Sequence, residues 1–409
     1  MTLPDPEPPP RPARLRLLRT GGVVVVALGL LAGLGYGAVA LVTPSQPPGS
    51  VPVRAAGLAA GPTFGPPPGI VFLDINHLSM TGYRPPLTTV LVPQDSYAFA
   101  PDPSGRLLAS PSGHIVDPAV PATQRNPPID LPAGFAAVRQ PWADDGRSLL
   151  LATTDRLVLW NRSTGGLSPL GAGTGAAPFG GILDTGAAAD PAHAAAVVVV
   201  PGPQVFGDSG PITTSDRVEY RRVGAGTRVL LTAARFRSLA GLPRSSAVVL
   251  SANVSANGYI AASGFAPDAR GGNTPSSVVV LRTDGRVAAV VRSTEGRSWF
   301  VNSWSPAGPA LALIASVNDA GGNLKEEALY LLDLDKAERP VKVDLPLPPP
   351  DSSGRTFLGT VSWSPDGSAL VAGTDRAWFV VGFSPYAVST FIDVRGNPVG
   401  WLRLPSGGR

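Results

Sequence analysis

The sequence contains no cysteine. This excludes disulfides, thiolate metal sites, cysteine nucleophiles and a lipid-modified N-terminal cysteine. It leaves the compartment open, because an exported domain can also be stable without crosslinks. Histidine is almost as scarce: His77, His114 and His193 share no metal-ligand spacing. Each reads as a turn or surface residue, so no metal site is expected. Lysine occurs only at Lys325, Lys336 and Lys342, and charged residues make up just 15% of the chain. The net charge of +4 comes from scattered arginines, with no basic block and no aromatic-interleaved basic stripe. A nucleic-acid partner is therefore not expected.

Glycine and proline are what the chain has in excess, 48 and 46 of 409 residues. They fall mostly between short Val/Leu/Ala runs. That is the texture of a turn-rich all-β protein.

One long apolar run stands apart. From Gly21 to Val42, 22 residues carry no charge, and about 20 suffice for a helix to cross a bilayer. Arg11, Arg14, Arg16 and Arg19 precede the run, Pro44, Pro47 and Pro48 follow it, and the next basic residue is Arg54. The positive-inside rule puts residues 1–20 in the cytoplasm as a Pro/Arg-rich tail and everything after Val42 outside. The alternative is a signal peptide cleaved near Ala40, since Ala38-Val39-Ala40 fits the small-x-small pattern. Both readings export the rest of the chain. Gly29, Gly33 and Gly37 fall on one helix face, a spacing that permits self-association of membrane helices; the other reading is chance spacing in a Gly/Ala-rich segment. Residues 43–69, rich in Pro and Gly and without periodicity, read as an extended spacer.

The body, residues 70–405, repeats itself. Three copies begin with tryptophan: WADDGRSLLLATTDRLVLW at Trp142, WSPAGPALALIAS at Trp304 and WSPDGSALVAGTDRAWFVV at Trp363. FAPDPSGRLLAS from Phe99 is a fourth, and Val254 and Ala189 begin weaker copies. The spacings are 43, 47, 65, 50 and 59 residues. In each, an aromatic ends one strand and fills the gap between sheets, a Gly-containing turn allows positive φ, and an apolar strand follows. Four strands per copy are readable in the last two units: Arg297–Ser305, Ala310–Ser316, Glu327–Leu334 and Val341–Leu345, then Thr356–Ser364, Ser368–Thr374, Ala377–Phe383 and Ala387–Asp393. Such a unit is a propeller blade. Ile70–Ile75 and Leu87–Val92 look like third and fourth strands, and Val399–Leu404 like a first strand, of one blade shared by the two chain ends. The expectation is an all-β propeller of four-stranded antiparallel blades, seven in number with six as the alternative, behind one N-terminal transmembrane helix.

The WSPDGS unit resembles the repeat of TolB-like and WD-repeat-like bacterial β-propellers over about residues 70–405. The Gly-His and Trp-Asp dipeptides of eukaryotic WD repeats are missing. The resemblance implies the fold and no particular activity, because propellers host unrelated functions.

Strand order implies which face binds. The first-to-second turns are short, as are the third-to-fourth turns Ser163–Gly166 and Thr283–Gly285. The long insertions Pro201–Ser215, Gly264–Ser276 and Val317–Lys325 all fall between second and third strands, hence on one face. Long loops on a rigid scaffold are where binding residues concentrate, against the reading that loop length has merely drifted. The candidate partner-binding residues are Phe206, Asp208, Asp268, Arg270, Asn273, Asn318, Asp319 and Asn323.

Catalytic signals are weak. Gly207-Asp208-Ser209-Gly210-Pro211 resembles a serine-protease nucleophile motif, but no companion His motif exists. Asp144, Asp145 and Asp366 read as turn formers, and Asp333 with Asp335 lacks the ligand series of a calcium loop. No catalytic, cofactor or metal residue is assigned. The expected function is a non-catalytic, membrane-anchored module that binds an envelope protein or a cell-wall polymer. The alternatives are a lyase or hydrolase acting at a central channel, and a ligand-sensing ectodomain.

Overall fold

The computed structural model describes residues 66–404 apart from 75–76, 83–86, 90–98, 110–114, 121–130, 133, 154, 173–182, 208–209, 268–274, 295, 319–323, 337–338, 348–357, 359–360, 375–376, 393 and 395. Residues 21–42, where the sequence places the membrane span, lie outside this set. Among the described residues no helix is long and apolar enough to cross a membrane.

The described chain is almost entirely β. β1 (Ile70–Asp74), β2 (His77–Met80) and β3 (Thr88–Thr89) come first, then β4 (Ala100–Pro101), β5 (Leu108–Ala109) and β6 (Ile115–Val116). β7 (Ala136–Ala143), β8 (Ser148–Ala152), β9 (Arg156–Asn161) and β10 (Leu167–Ala172) form one antiparallel meander. β11 (Leu183–Ala189), β12 (Ala195–Gly207), β13 (Gly210–Arg222) and β14 (Gly226–Thr232) form the next. Three more follow: β15 (Val249–Val254) to β18 (Val287–Val291) by way of β16 (Tyr259–Phe265) and β17 (Ser277–Arg282); β19 (Arg297–Trp304), β20 (Ala310–Asn318), β21 (Leu324–Asp333) and β22 (Val341–Lys342); and β23 (Val361–Trp363), β24 (Ala369–Gly373), β25 (Ala377–Phe383) and β26 (Tyr386–Ile392). The last strand, β27 (Asn397–Trp401), returns to the beginning and pairs antiparallel with β1, with Ile70 opposite Trp401.

First strands neighbour one another in a closed circuit, β4 to β7, β11, β15, β19, β23, β27 and back to β4. This is a propeller. Among the described residues five of its sheets have four or more strands and count as blades, while β4–β6 form a smaller three-stranded sheet. That count corrects the expected seven blades and the alternative six. β7 and β11 lie parallel and adjacent, with Leu183 opposite Val138 and Ala188 opposite Gln140. This pairing fuses two four-stranded meanders into one eight-stranded sheet. A second correction concerns the closing sheet, ordered β27-β1-β2-β3: Ile70–Asp74 is its second strand, and His77–Met80 is the third. The hydrophobic run IVFLD did not distinguish the two positions.

Burial explains the texture of the sequence. Second and third strands are covered on both faces, so they read as continuous apolar runs: every residue of β8 (SLLLA) is buried. Alternate residues serve different neighbours. In β20, Leu311, Leu313 and Ala315 pack toward β16 and β17, while Ala312 and Ile314 pack toward β23–β25. Fourth strands cover one face only, and Leu167, Val229, Val287 and Val341 are left exposed on them.

The repeat tryptophans close the joints. Trp142 at the end of β7 donates its indole N–H to Ala100 O on β4 at 2.7 Å. Trp304 at the end of β19 donates to Asn253 O on β15 at 3.4 Å, and Trp363 at the end of β23 to Ser303 O on β19 at 3.3 Å. The accepting carbonyl is always the penultimate residue of the preceding first strand. The aromatic that fills the gap thus also pins one sheet to the last.

One short helix, α1 (Ala233–Ala240), joins β14 to β15. Eight residues are too few to be stable alone. Thr232 caps it by accepting from Arg235 N, Gly241 ends it at φ 76°, and Phe236 is fully buried between the two sheets.

Replacing Trp142 with Phe keeps the ring and removes the 2.7 Å hydrogen bond; it is expected to cost about 1 kcal/mol. Trp142→Ala is expected to cost roughly 3–5 kcal/mol. Reversible denaturant unfolding reads both, and a Phe variant as stable as the parent would show that the indole bond contributes nothing.

Candidate binding face

The second-to-third connections of three successive units leave from equivalent strand ends, so they share one face. The first of them, Pro201–Ser215, is not a loop. It is the outer half of a hairpin in which β12 and β13 stay paired out to Gly207 opposite Gly210. Val205 and Ile212 face each other there, and β-branched residues suit a two-stranded ribbon. Neighbouring strands stop earlier: β11 last pairs at Val198 and β14 at Arg217. The ribbon therefore projects beyond the sheet by about 20 Å, at 3.3 Å per residue.

Phe206 stands near its tip, 81% exposed. Pro201, Pro203 and Pro211 lie along the ribbon and lack the N–H that strand addition needs, so the edges are poor templates for another strand. What the arm offers to solvent is therefore side chains, Phe206 foremost. Of the other candidate residues, Asn318 ends β20, and its side chain is outside the described set. Asp208, Asp268, Arg270, Asn273, Asp319 and Asn323 lie outside the described residues altogether.

The same face carries a set of seams that the sequence did not reveal. On or just before three third strands, β13, β17 and β21, a side chain or backbone group reaches the next unit. Ser215 Oγ accepts from Leu250 N at 2.9 Å. Ser276 Oγ donates to Trp299 O at 2.6 Å, and Trp299 N donates to Ser276 O at 3.0 Å. Glu327 accepts from Leu358 N at 2.7 Å and from Ser316 Oγ at 3.2 Å. Burial pushes the Glu327 carboxyl up to about 7.

Among the first strands, Gln140 of β7 reaches past β11 to β15. Its amide accepts from Val254 N at 3.0 Å and donates to Val254 O at 2.9 Å, satisfying both backbone groups. Ala188 of β11 lies opposite Gln140 in the parallel pair that the amide crosses.

The opposite face holds the first-to-second turns. Asp190, fully buried, accepts from Tyr220 Oη at 2.7 Å and Ala192 N at 2.9 Å, and His193 Nδ1 lies 3.1 Å away. Burial first, and then the bond to Asp190, push the Tyr220 hydroxyl above its ordinary range. Asp190 occupies the turn position held by Asp102, Ser255, Ser305 and Ser364, whose backbone N–H groups all donate across the turn. His193 is a half-exposed turn residue, as read from the sequence. Asp366 accepts from Ser364 Oγ, Ser368 N and Ser368 Oγ, and these donors hold its carboxyl down at about 2. It is a turn former. Asp333 pairs with Lys336 at 2.9 Å. Among the described residues no group of three or more His, Cys, Asp or Glu converges as a metal site would require.

Asp144 and Asp145 sit at φ 52° and 53°, a region costly for residues with a Cβ. Two bonds to the next unit hold them there: Asp144 N to His193 O at 3.2 Å and Asp145 N to Pro191 O at 2.7 Å. The strained turn is a clasp between the two fused meanders.

No protein-family model and no curated protein matches the chain. Solved structures do resemble it. The β-propeller domain of Cps50 (Swd1) from Myceliophteria thermophila is 12% identical with a TM-score of 0.40, covering 73% of this chain and 87% of that one. Apo AztD from Citrobacter koseri is 12% identical with a TM-score of 0.41, covering 81% of this chain and 96% of that one. At that distance neither informs on activity, and the propeller assignment rests on the strand order described above.

Asp145→Gly keeps the turn and removes the positive-φ strain. It is expected to raise stability by about 0.5–1 kcal/mol, whereas Asp145→Val is expected to lower it by roughly 1–2 kcal/mol. Thermal unfolding of the pair checks this; a destabilised Gly variant would show that the turn carries no strain.

Proposed function

We propose that the protein is a membrane-anchored β-propeller of the TolB-like, WD-repeat-like bacterial type, exported from the cytoplasm, that binds a protein or polymer of the cell envelope without catalysing a reaction. The observation that carries this reading is the projecting β12–β13 arm with Phe206 almost fully exposed at its end. A large aromatic held in water on a two-stranded ribbon gains nothing for the fold. It gains apolar burial when a partner covers it.

The path of the chain supports the orientation. Ile70 opposes Trp401, the last residue of a first strand, so residues 66–69 enter the ring on the face of the first-to-second turns. The arm projects from the opposite face, where we place the envelope partner.

A photoreactive residue at position 206 of the full chain, in its native membrane, tests this. One discrete crosslinked species is expected from position 206 and none from position 286, which is exposed on the opposite face. Equal labelling from both positions, or none from 206, would sink the proposal. Phe206→Ala is expected to leave stability within about 0.5 kcal/mol of the parent while reducing crosslinking from a neighbouring arm position.

A further inference from the structure

At two of the three seams on the arm-bearing face the group that reaches the next unit is a serine hydroxyl, which does not titrate. At the third it is Glu327. This carboxyl is 5% exposed and has two donors, Leu358 N and Ser316 Oγ. Leu358 is itself fully buried and leads the chain into β23, immediately after the stretch 348–357.

The charged groups around the seam point elsewhere. β20 carries no charged residue. On β21, Glu326 turns outward onto Lys342 of β22 at 3.2 Å, and Asp333 pairs with Lys336 at the far end. Arg297 of β19 donates to Tyr330 Oη at 3.2 Å and lies over the Trp299 and Tyr330 rings. Asp344 acts on Tyr386. β23, β24, β25 and β26 carry no charged residue. Lys325 neighbours Glu326 on β21, and Asp351 and Arg355 lie outside the described residues. No cation among the described residues balances Glu327.

We propose that Glu327 is a proton-operated latch on the joint between the β19–β22 and β23–β26 sheets: protonated, it holds Leu358 and keeps the joint shut; ionised, it draws water into the joint and loosens the path into β23. The protonated acid keeps both contacts. One oxygen still accepts from Leu358 N, and the other, now carrying the proton, donates to Ser316 Oγ in the reverse sense. The carboxylate also keeps both, but leaves a buried negative charge with no counter-charge among the described residues, which is the costlier state in a dry joint.

The sign follows. Burial raises the carboxyl in the folded protein from 4.5 to about 7, so the folded state holds the proton more tightly than the unfolded state. The stability this group contributes is complete below about pH 4.5 and is lost as the pH rises through about 7. The latch therefore works near neutrality. It sits on the same face as the β20–β21 connection, and it stands whether or not that face binds a partner.

Amide hydrogen exchange on the full chain, corrected for intrinsic rates, tests the latch. Protection at Leu358 is expected to fall at least about tenfold between pH 6 and 8.5, while Leu250, held by Ser215, stays constant. In Glu327→Gln, Leu358 is expected to stay protected at every pH. Constant protection in the parent overturns the proposal, as does a loss that persists in the Gln variant. Should that variant not fold, the parent's Glu327 side-chain carbon resonance decides the matter: a midpoint near 7 supports the latch, and one at or below the ordinary glutamate value overturns it.

Discussion

Among the described residues, most core clusters draw on two neighbouring sheets, and one lies within the eight-stranded β7–β14 sheet, between its two meanders. Second and third strands bury both faces, mostly against the next sheet, so apolar burial is shared around the circuit. The pairing of β1 with β27 completes it, by joining Ile70 to Trp401 at opposite ends of the described chain. Around that seal, Leu402 N donates to Gly69 O and the Trp401 indole to Pro68 O. Gly69 sits so close to Leu402 O that no Cβ fits there. The indole bonds from Trp142, Trp304 and Trp363 transmit the same constraint from joint to joint.

This arrangement also explains what the sequence shows openly and what it conceals. The tryptophans and Asp-Gly turns repeat because every joint needs the same aromatic filler and the same tight reversal. The strands of the last two units were accordingly readable to within a few residues, and β27 was recognisable from Trp401. The fusion of β7 with β11 was not, because LDTGAAA carries no β-branched run and its partner lies far back in the chain. The arm was mistaken for a loop because prolines and glycines interrupt its alternation, although Val205, Phe206, Ile212 and Thr213 carry the β signal. α1 was legible in retrospect, from Thr232 as a cap, Phe236 and Ala240 one turn apart, and Gly241 as a stop.

The site divides in the same way. Loop length alone pointed to one face, and Phe206 is where the structure puts its exposed aromatic. The remaining candidate side chains lie outside the described residues. Glu327 and Gln140 escaped the sequence reading for a physical reason. A buried glutamate in EEALYLLD looks like an ordinary strand residue, and only the fold shows that it faces another sheet and not water. The two faces now have different characters. One is clasped by strained or well-bonded turns and receives the chain from its N-terminus. The other carries the arm and the seams, one of them titratable.

The closing pair offers the most direct test of the whole account, and the absence of native cysteine makes it clean. Leu73 and Asn397 are partners across β1 and β27, at a separation typical of antiparallel neighbours and within disulfide reach. In the Leu73→Cys, Asn397→Cys double variant, mild oxidation is expected to form an intramolecular disulfide in the folded monomer and to raise its melting temperature. Two thiols that stay reactive in the folded protein, or that crosslink only between molecules, would contradict a ring closed by its own ends.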